Sequence, residues 1–240
     1  MTDAVETVDL LADRLRSLGW VSDLWVGGSL ATGDHVRGVS DLDLVAVATD
    51  RLTTARRDEL AGLHRDLDAG AAAGMDLGCQ YVEAGLLADR AALHPTWTHG
   101  GMVDRIVSGI TRAELVRHGY AVLGQPPGDV LPEVSDEDVR EAARAEILGY
   151  WAWAARRPGM WLNPVIADLG LTSMARGRHA LTTGELLTKS DAVERAAAPR
   201  WLVDQLRARR RGERVESPRL RTGWIAWRDA RRTVALARRG

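Results

Sequence analysis

Apolar residues set the first prediction. Between residues 4 and 18, Val5, Val8, Leu11, Leu15 and Leu18 recur every three or four positions, the spacing of a helix with one buried face. The run Val21 to Val26 reads as a short strand and stops at Gly27-Gly28-Ser29. Leu42-Asp43-Leu44-Val45-Ala46-Val47 reads as a second strand, and Leu60, Leu63 and Leu67 place a second helix over 54–68. Met75 to Val82 alternates as a third strand would, and Val103 to Gly119 looks helical, closing on a glycine suited to a helix end. Gly124-Gln125-Pro126-Pro127-Gly128 is the strongest break in the chain, so the domain boundary is placed there. Ser135, followed by Asp136, Glu137 and Asp138, is a good helix N-terminus. Everything after it reads as helices punctuated by Pro158-Gly159, Thr183-Gly184 and Gly212. The expected architecture is an α+β domain over 1–125, a short mixed sheet with flanking helices, joined to an all-α bundle over 126–240.

Composition then excludes several classes. With 45% hydrophobic and 27% charged residues in 240, the chain is neither disordered nor a disulfide-stapled miniprotein. The single cysteine, Cys79, forbids an intramolecular disulfide or a cysteine-based zinc site. No apolar run reaches the roughly 18 residues needed to span a bilayer, and the start, Met-Thr-Asp-Ala-Val-Glu, lacks the apolar core of a secretory leader. A cytoplasmic protein is expected. The net charge of −1 conceals a split: residues 1–150 carry 25 acids and 13 bases, residues 151–240 carry 8 and 19. Arginine outnumbers lysine 31 to 1, which singles out Lys189.

The chemistry is concentrated in Val26-Gly27-Gly28-Ser29-Leu30-Ala31-Thr32-Gly33 and Gly38-Val39-Ser40-Asp41-Leu42-Asp43-Leu44. Asp41 and Asp43 stand two apart at a strand start, so both carboxylates project from one face. Two hard oxygen donors on one face suit Mg²⁺, which takes substrate phosphates as its other ligands. Gly27 and Gly28 let the backbone approach a ligand, and amide N–H groups with the Ser29 hydroxyl can hold phosphate oxygens. Either motif alone is usually a turn or a solvated strand end; their joint spacing is what carries weight.

That pattern, Gly-Ser followed by Ser-Asp-x-Asp-Leu on a second strand, resembles the nucleotidyltransferase superfamily that includes DNA polymerase β. In that superfamily a third carboxylate comes from a neighbouring strand. Asp76 matches by position, with Glu83 at the other end of that strand as the substitute. The second half narrows the resemblance. Arg176, Thr183-Gly184-Glu185-Leu186-Leu187-Thr188-Lys189 and Asp191-Ala192 look like the helical domain of aminoglycoside (streptomycin/spectinomycin) adenylyltransferases, as does Gly119 to Pro126. The resemblance covers about residues 15 to 215. It implies two Mg²⁺ ions and ATP, with Asp41, Asp43 and Asp76 as metal ligands. Asp76 would also deprotonate the acceptor, and Gly28, Ser29 and Ser40 would lie near phosphate. Arg176 and Lys189 would reach the phosphates from a helical domain that closes the cleft. The chain departs from the family at Thr188, where a serine is usual, and at Arg209-Arg210-Arg211-Gly212, where an aromatic residue helps hold the nucleotide. The family's drug contacts have only Trp161 and Asp168 as nearby candidates; Trp151 and Trp153 are expected to face opposite sides of a helix and to pack.

The expected activity is transfer of AMP from ATP to a hydroxyl of an aminoglycoside or aminocyclitol, releasing pyrophosphate. An acidic first half suits a polycationic acceptor and a basic second half a triphosphate. The competing readings are a nucleotidyltransferase with a protein or RNA acceptor, a non-catalytic nucleotide-binding regulator, and a serine hydrolase suggested by Gly27-x-Ser29-x-Ala31. No membrane or nucleic acid partner is expected. His35 beside the active turn, and His94 and His99 flanking Trp97, show no metal-ligand spacing. The 13 arginines beyond residue 199 read as a solvated surface.

Overall fold

The computed structural model describes residues 4–239, so the acidic start at Met1–Asp3 lies outside it. Two compact units divide at Val134 and Ser135. The first begins with α1 (Ala4–Leu18), β1 (Val21–Val26), the single turn α2 (Gly28–Ala31), β2 (Leu42–Ala48), α3 (Thr54–Ala69) and β3 (Leu77–Glu83). It continues with β4 (His94–Thr98), β5 (Gly101–Arg105), α4 (Gly109–His118), β6 (Tyr120–Leu123) and α5 (Pro127–Val130). The strands form one six-stranded mixed sheet in the order β5-β4-β3-β2-β1-β6. Only β2 and β3 run parallel. This is the α+β unit that the periodicity predicts.

Alternation along β2 explains how the sheet is covered. Leu42, Leu44, Ala46 and Ala48 face a core shared with Leu11 and Leu15 of α1 and Leu60 and Leu67 of α3. Val45 and Val47 face the other way, under Leu115 of α4 and Leu131. Burying each such aliphatic side chain is worth about 1.5–3 kcal/mol. Both faces are thus apolar over most of their length, as expected for a central parallel pair. Asp41 and Asp43 fall on the α4 side, where the strand emerges from that cover.

Four features differ from the sequence reading. Val103 to Gly119 is not one helix: β5 ends at Arg105, and α4 starts only after Ser108, whose hydroxyl accepts from the Thr111 N–H at 3.0 Å. The cause is a tight hairpin. Thr98 pairs with Gly101, leaving His99 and Gly100 as a two-residue turn with φ values of 49° and 74°. Such a turn requires positive φ at both positions, so it signals two strands where helical spacing is ambiguous. Strands β4 and β6 have no counterpart in the sequence reading, and β3 starts at Leu77, two residues after Met75. The break at 125/126 lies nine residues before the boundary between units, because α5 packs beside α4 and Leu131 joins the core beneath it. Gln125 is tied to β1: its N–H donates to Asp23 at 2.7 Å, and Trp25 Nε1 donates to its carbonyl at 2.8 Å.

The second unit is helical. It comprises α6 (Asp136–Glu146), α7 (Ala152–Ala155), α8 (Pro164–Thr183), α9 (Lys189–Glu194), α10 (Arg200–Arg210) and α11 (Arg219–Ala237). Ser135 caps α6 in a reciprocal box with Asp138, as its acidic first turn predicts. Between α6 and α7 the helix widens around Gly149, which leaves Trp151 buried and Trp153 exposed under Arg157. α8 stops at Gly184, whose φ of 76° suits glycine and whose missing Cβ leaves room for Asp136. The core gathers Ile147, Trp161, Leu171, Met174, Leu202 and Ala230. No helix of the described residues is long and apolar enough to cross a membrane.

Candidate active site

The site lies where β1 ends and β2 and β3 begin. After Val26 the Gly27 N–H donates to the Asp43 carbonyl at 2.8 Å, which holds the turn against β2. Gly28 then adopts a φ of 57°, a region that disfavours any side chain, and an added Cβ would overlap the Asp43 carboxylate. Glycine is required here for two independent reasons. Thr32 closes the turn of α2 by donating its hydroxyl to the Gly28 and Ser29 carbonyls at 3.2 and 3.3 Å. The Asp34 N–H donates to the Ser29 carbonyl at 2.9 Å, so the 27–34 loop is fixed by its own backbone.

Ser29 is 6% exposed, and its hydroxyl has no hydrogen-bond partner among the described residues. A buried hydroxyl left unpaired costs about 1–3 kcal/mol, a cost an incoming ligand oxygen can remove. No histidine bonds it either, which leaves the hydrolase reading without its base. Ser40, by contrast, accepts from the Val36 N–H at 3.0 Å, so its hydroxyl closes the 36–40 loop that delivers Asp41.

Leu42 fixes the direction of the two carboxylates. Its side chain is buried in the α1/α3 core, so Asp41 and Asp43 project from the opposite face. Asp43 is exposed and Asp41 half-buried. Asp76 is brought beside them by the parallel register. Leu42 pairs with Leu77, and the Leu42 N–H donates to the Asp76 carbonyl at 3.0 Å, so Asp76 stands next to Asp41 at the sheet's margin. It precedes β3 instead of lying within it, and it is exposed. Asp76 also lies near Asp68 of α3. Burial first, and then the Asp76 charge, raise the proton affinity of the Asp68 carboxyl, while a 3.0 Å bond from Trp97 Nε1 opposes both. Glu83 is committed elsewhere: its carboxylate accepts from the Leu52 N–H at 2.8 Å at the far end of β3.

The donor set fits a hard divalent cation, with one qualification. Mg²⁺ is usually held through one or two carboxylates plus substrate phosphates, and Asp41 and Asp43 supply that number. Among the described residues, no three His, Cys, Asp or Glu side chains form a ready-made metal cage.

In the helical unit, Arg176 and Lys189 are brought close in chain geometry. Arg176 Nε donates to the Leu187 carbonyl at 2.9 Å, two residues before Lys189, and Lys189 is the first residue of α9. Thr188 replaces serine without loss of its cap, since its hydroxyl accepts from the Asp191 N–H at 3.0 Å. Trp161 and Asp168 are not available as drug contacts. Trp161 is 1% exposed and donates Nε1 to the Ala154 carbonyl at 3.1 Å, so it is core. Asp168 is held by Arg209 in a two-bond pair at 2.5 and 3.0 Å; burial raises its proton affinity and the arginine opposes that.

Among the histidines, His99 sits at the hairpin turn and His35 is partly exposed in the active loop. His94 is buried, and its imidazole is pushed toward the neutral form by burial and then by the Arg112 charge. Arg112 itself was not anticipated. It is buried on α4 and donates to the carbonyls of Leu87, Asp89 (2.9 Å) and Val107 (3.3 Å), pinning the β3–β4 connection. Its i+3/i+4 position among apolar neighbours gave no signal separable from a solvated helical arginine.

Residues 8–78, which carry most of α1, the glycine turn, both strand-start aspartates and Asp76, match the family model described as the nucleotidyltransferase domain. Among solved structures, the chain is similar to a spectinomycin adenyltransferase, AAD(9), from Enterococcus faecialis, determined with ATP and spectinomycin. The TM-score is 0.74 at 15% identity, over 96% of this chain and 99% of that one. That likeness shows the fold, a mixed sheet with helices followed by a helical region. No curated protein sequence matches.

Proposed function

We propose, for a chain whose residues 8–78 match the nucleotidyltransferase domain, that it transfers AMP from ATP to a hydroxyl of an aminoglycoside or aminocyclitol. The observation that carries the reading is the packing of the Asp43 carboxylate against Gly28, beside the unpartnered Ser29 hydroxyl. That proximity supports a reading in which the carboxylate and the groups that take phosphate lie within one turn of each other. The likeness to AAD(9) supports the acceptor class.

Asp41 and Asp43 would hold Mg²⁺, which when bound neutralises phosphate charge and orients the triphosphate. Ser29 and the backbone of the 28–31 turn bind phosphate oxygens. The acceptor hydroxyl oxygen attacks the α-phosphorus as its proton passes to the Asp76 carboxylate. The new O–P bond forms while the bond between the α-phosphorus and the bridging oxygen breaks, and the electron pair leaves with pyrophosphate. Arg176 and Lys189 are assigned to the pyrophosphate charge on the strength of the resemblance. Ser40 contributes by holding the loop that ends at Asp41.

Purified protein given ATP and Mg²⁺ is expected to release pyrophosphate only when a cognate acceptor is present in a panel including spectinomycin and streptomycin. Asp41→Asn should lower that rate by about 1,000-fold or more, in line with losing a group that acts on transition-state charge, without altering the far-UV spectrum. Undiminished turnover in this variant, or pyrophosphate release that no member of the panel stimulates, overturns the assignment.

A further inference from the structure

The arginine-rich end of the chain is not absorbed by the reaction above, and its two helices differ in one respect. On α10 and the turn after it three guanidinium groups are neutralised within the unit. Arg207 pairs with Glu194 at 2.6 Å and Asp204 at 2.7 Å, Arg209 with Asp168, and Arg211 with Glu213 at 2.7 Å. On α11, Arg221, Arg228 and Arg231 form no ion pair among the described residues, nor does Arg239 just past the helix, whereas the Arg232 charge acts on Asp229. The sole acid of α11, Asp229, is buried and accepts from Arg178 at 2.7 Å. Because this chain uses arginine almost everywhere, arginine content alone argues nothing. The missing counter-charges do.

Helical spacing gathers these residues. Arg221, Trp224, Arg228, Arg231 and Arg232 fall on one side of α11, while Ala226, Ala230, Val234 and Ala237 are buried on the other. Aromatic rings are interleaved with the charges. Arg228 lies over Trp224 at 5.8 Å and Arg231 over Trp227 at 5.0 Å, with the two indoles 5.1 Å apart. Trp227 is anchored by its Nε1 bond to the Ala155 carbonyl at 2.9 Å, whereas Trp224 remains 54% exposed. The stripe from Arg221 to Arg232 is about 17 Å long at 1.5 Å per residue.

We propose that this face of α11 docks a single-stranded polynucleotide, its phosphates on the unneutralised arginines and a base on Trp224. A charged track with an exposed aromatic platform is the physical requirement for such binding. A bilayer is disfavoured because the apolar side of α11 is spent on the core. The inference departs from the sequence expectation of no nucleic acid partner, and it does not depend on the transferase assignment.

The test is fluorescence anisotropy of a labelled 12-residue oligodeoxythymidine with the full chain between 50 and 200 mM salt. Binding should weaken with log salt at a slope of about −3, near 0.7 for each phosphate neutralised on a single strand. Arg228→Gln/Arg231→Gln should cut affinity at least about tenfold and flatten the slope by about 1.4. Trp224→Ala should cost about tenfold with the slope unchanged. Arg207→Gln, which alters a paired arginine, should leave binding within twofold. Absence of binding at 50 mM salt overturns the proposal, as does a double variant with the parent's slope. Tighter binding to vesicles containing anionic lipid, or to polyglutamate, than to the oligonucleotide overturns it too. Pyrophosphate release in the Arg228/Arg231 variant should match the parent, which separates a failure here from a failure of the transferase reading.

Discussion

The two ends of the β2–β3 pair put carboxylates to opposite uses. At the far end two such groups hold backbone. Glu83 accepts from the Leu52 N–H, and buried Asp23, one strand over, accepts from the Ser22 hydroxyl at 2.5 Å and the Gln125 N–H at 2.7 Å. At the near end Asp43 and Asp76 are exposed, Asp43 leaves no room for a Cβ on Gly28, and the buried Ser29 hydroxyl has no partner among the described residues. One end is satisfied by printed backbone bonds, while the other keeps a buried hydroxyl, that of Ser29, without a partner among the described residues. A carboxylate that braces the fold and one that serves chemistry are therefore separable by which property its loss changes: melting temperature or turnover.

Among changes that leave every carboxylate in place, the largest effect is expected at the near end. Gly28→Ala forces a Cβ into the space taken by the Asp43 carboxylate, at a φ where a side chain costs about 1–2 kcal/mol. Displacing a catalytic group by as little as an ångström can cost about 100-fold in rate. Pyrophosphate release should fall by about that factor, with a melting temperature lower by about 3–6 °C for a chain of this size. A Gly28→Ala protein with the parent's rate would show that Asp43 is not held where the geometry puts it.

Much of this was legible from the chain, for identifiable reasons. α1 and α3 follow from periodicity because each packs one face on a core, and β1 and β2, covered on both faces, follow from short apolar runs bounded by turns. The Gly-Ser and Asp-x-Asp segments were legible because a Gly-only φ and two same-face carboxylates are conditions that few residue types meet. The hairpin at His99-Gly100 was not, since its first turn position carries histidine in place of the asparagine, aspartate or glycine that usually marks a two-residue loop. Trp161 and Asp168 looked like ligand contacts because sequence cannot show that one is enclosed and the other paired across 41 residues with Arg209. Arg112 was missed on the same ground: its partners are carbonyls 5 to 25 positions away.

Behind the same two strands lies a third arrangement, a titratable group kept uncharged. His64 of α3 is buried, bonds Tyr81 through Nε2 at 2.6 Å and stacks on Trp97 at 5.1 Å, and burial lowers its pKa to about 3. The unfolded imidazole binds a proton near its model value of 6.5, so between pH 6.5 and about 3 the unfolded state carries the extra proton. This contribution is complete above pH 6.5 and is lost as pH falls, at up to about 1.4 kcal/mol per pH unit. Urea melts from pH 7 to 5 should show that slope, and His64→Leu should reduce it even though it also removes the Tyr81 bond. An unchanged slope in the variant would place the acid sensitivity at another group.

The smallest effect tests the far end directly. Glu83→Ala removes one charge-assisted hydrogen bond to a backbone N–H, worth about 1–1.5 kcal/mol, and leaves the 49–53 segment with its backbone bonds from Thr49 N–H to the Trp20 carbonyl and Thr53 N–H to the Arg51 carbonyl. The melting temperature should drop by about 2–5 °C, and pyrophosphate release below the melt should stay within twofold of the parent. Asp76→Ala should show the inverse. The contrast is sharp because both carboxylates flank the same strand, one residue before its start and at its last position. Were Glu83→Ala to abolish turnover at an unchanged melting temperature, the third catalytic carboxylate would belong to the end of β3 and not to its beginning, and the comparison between the two ends would fail.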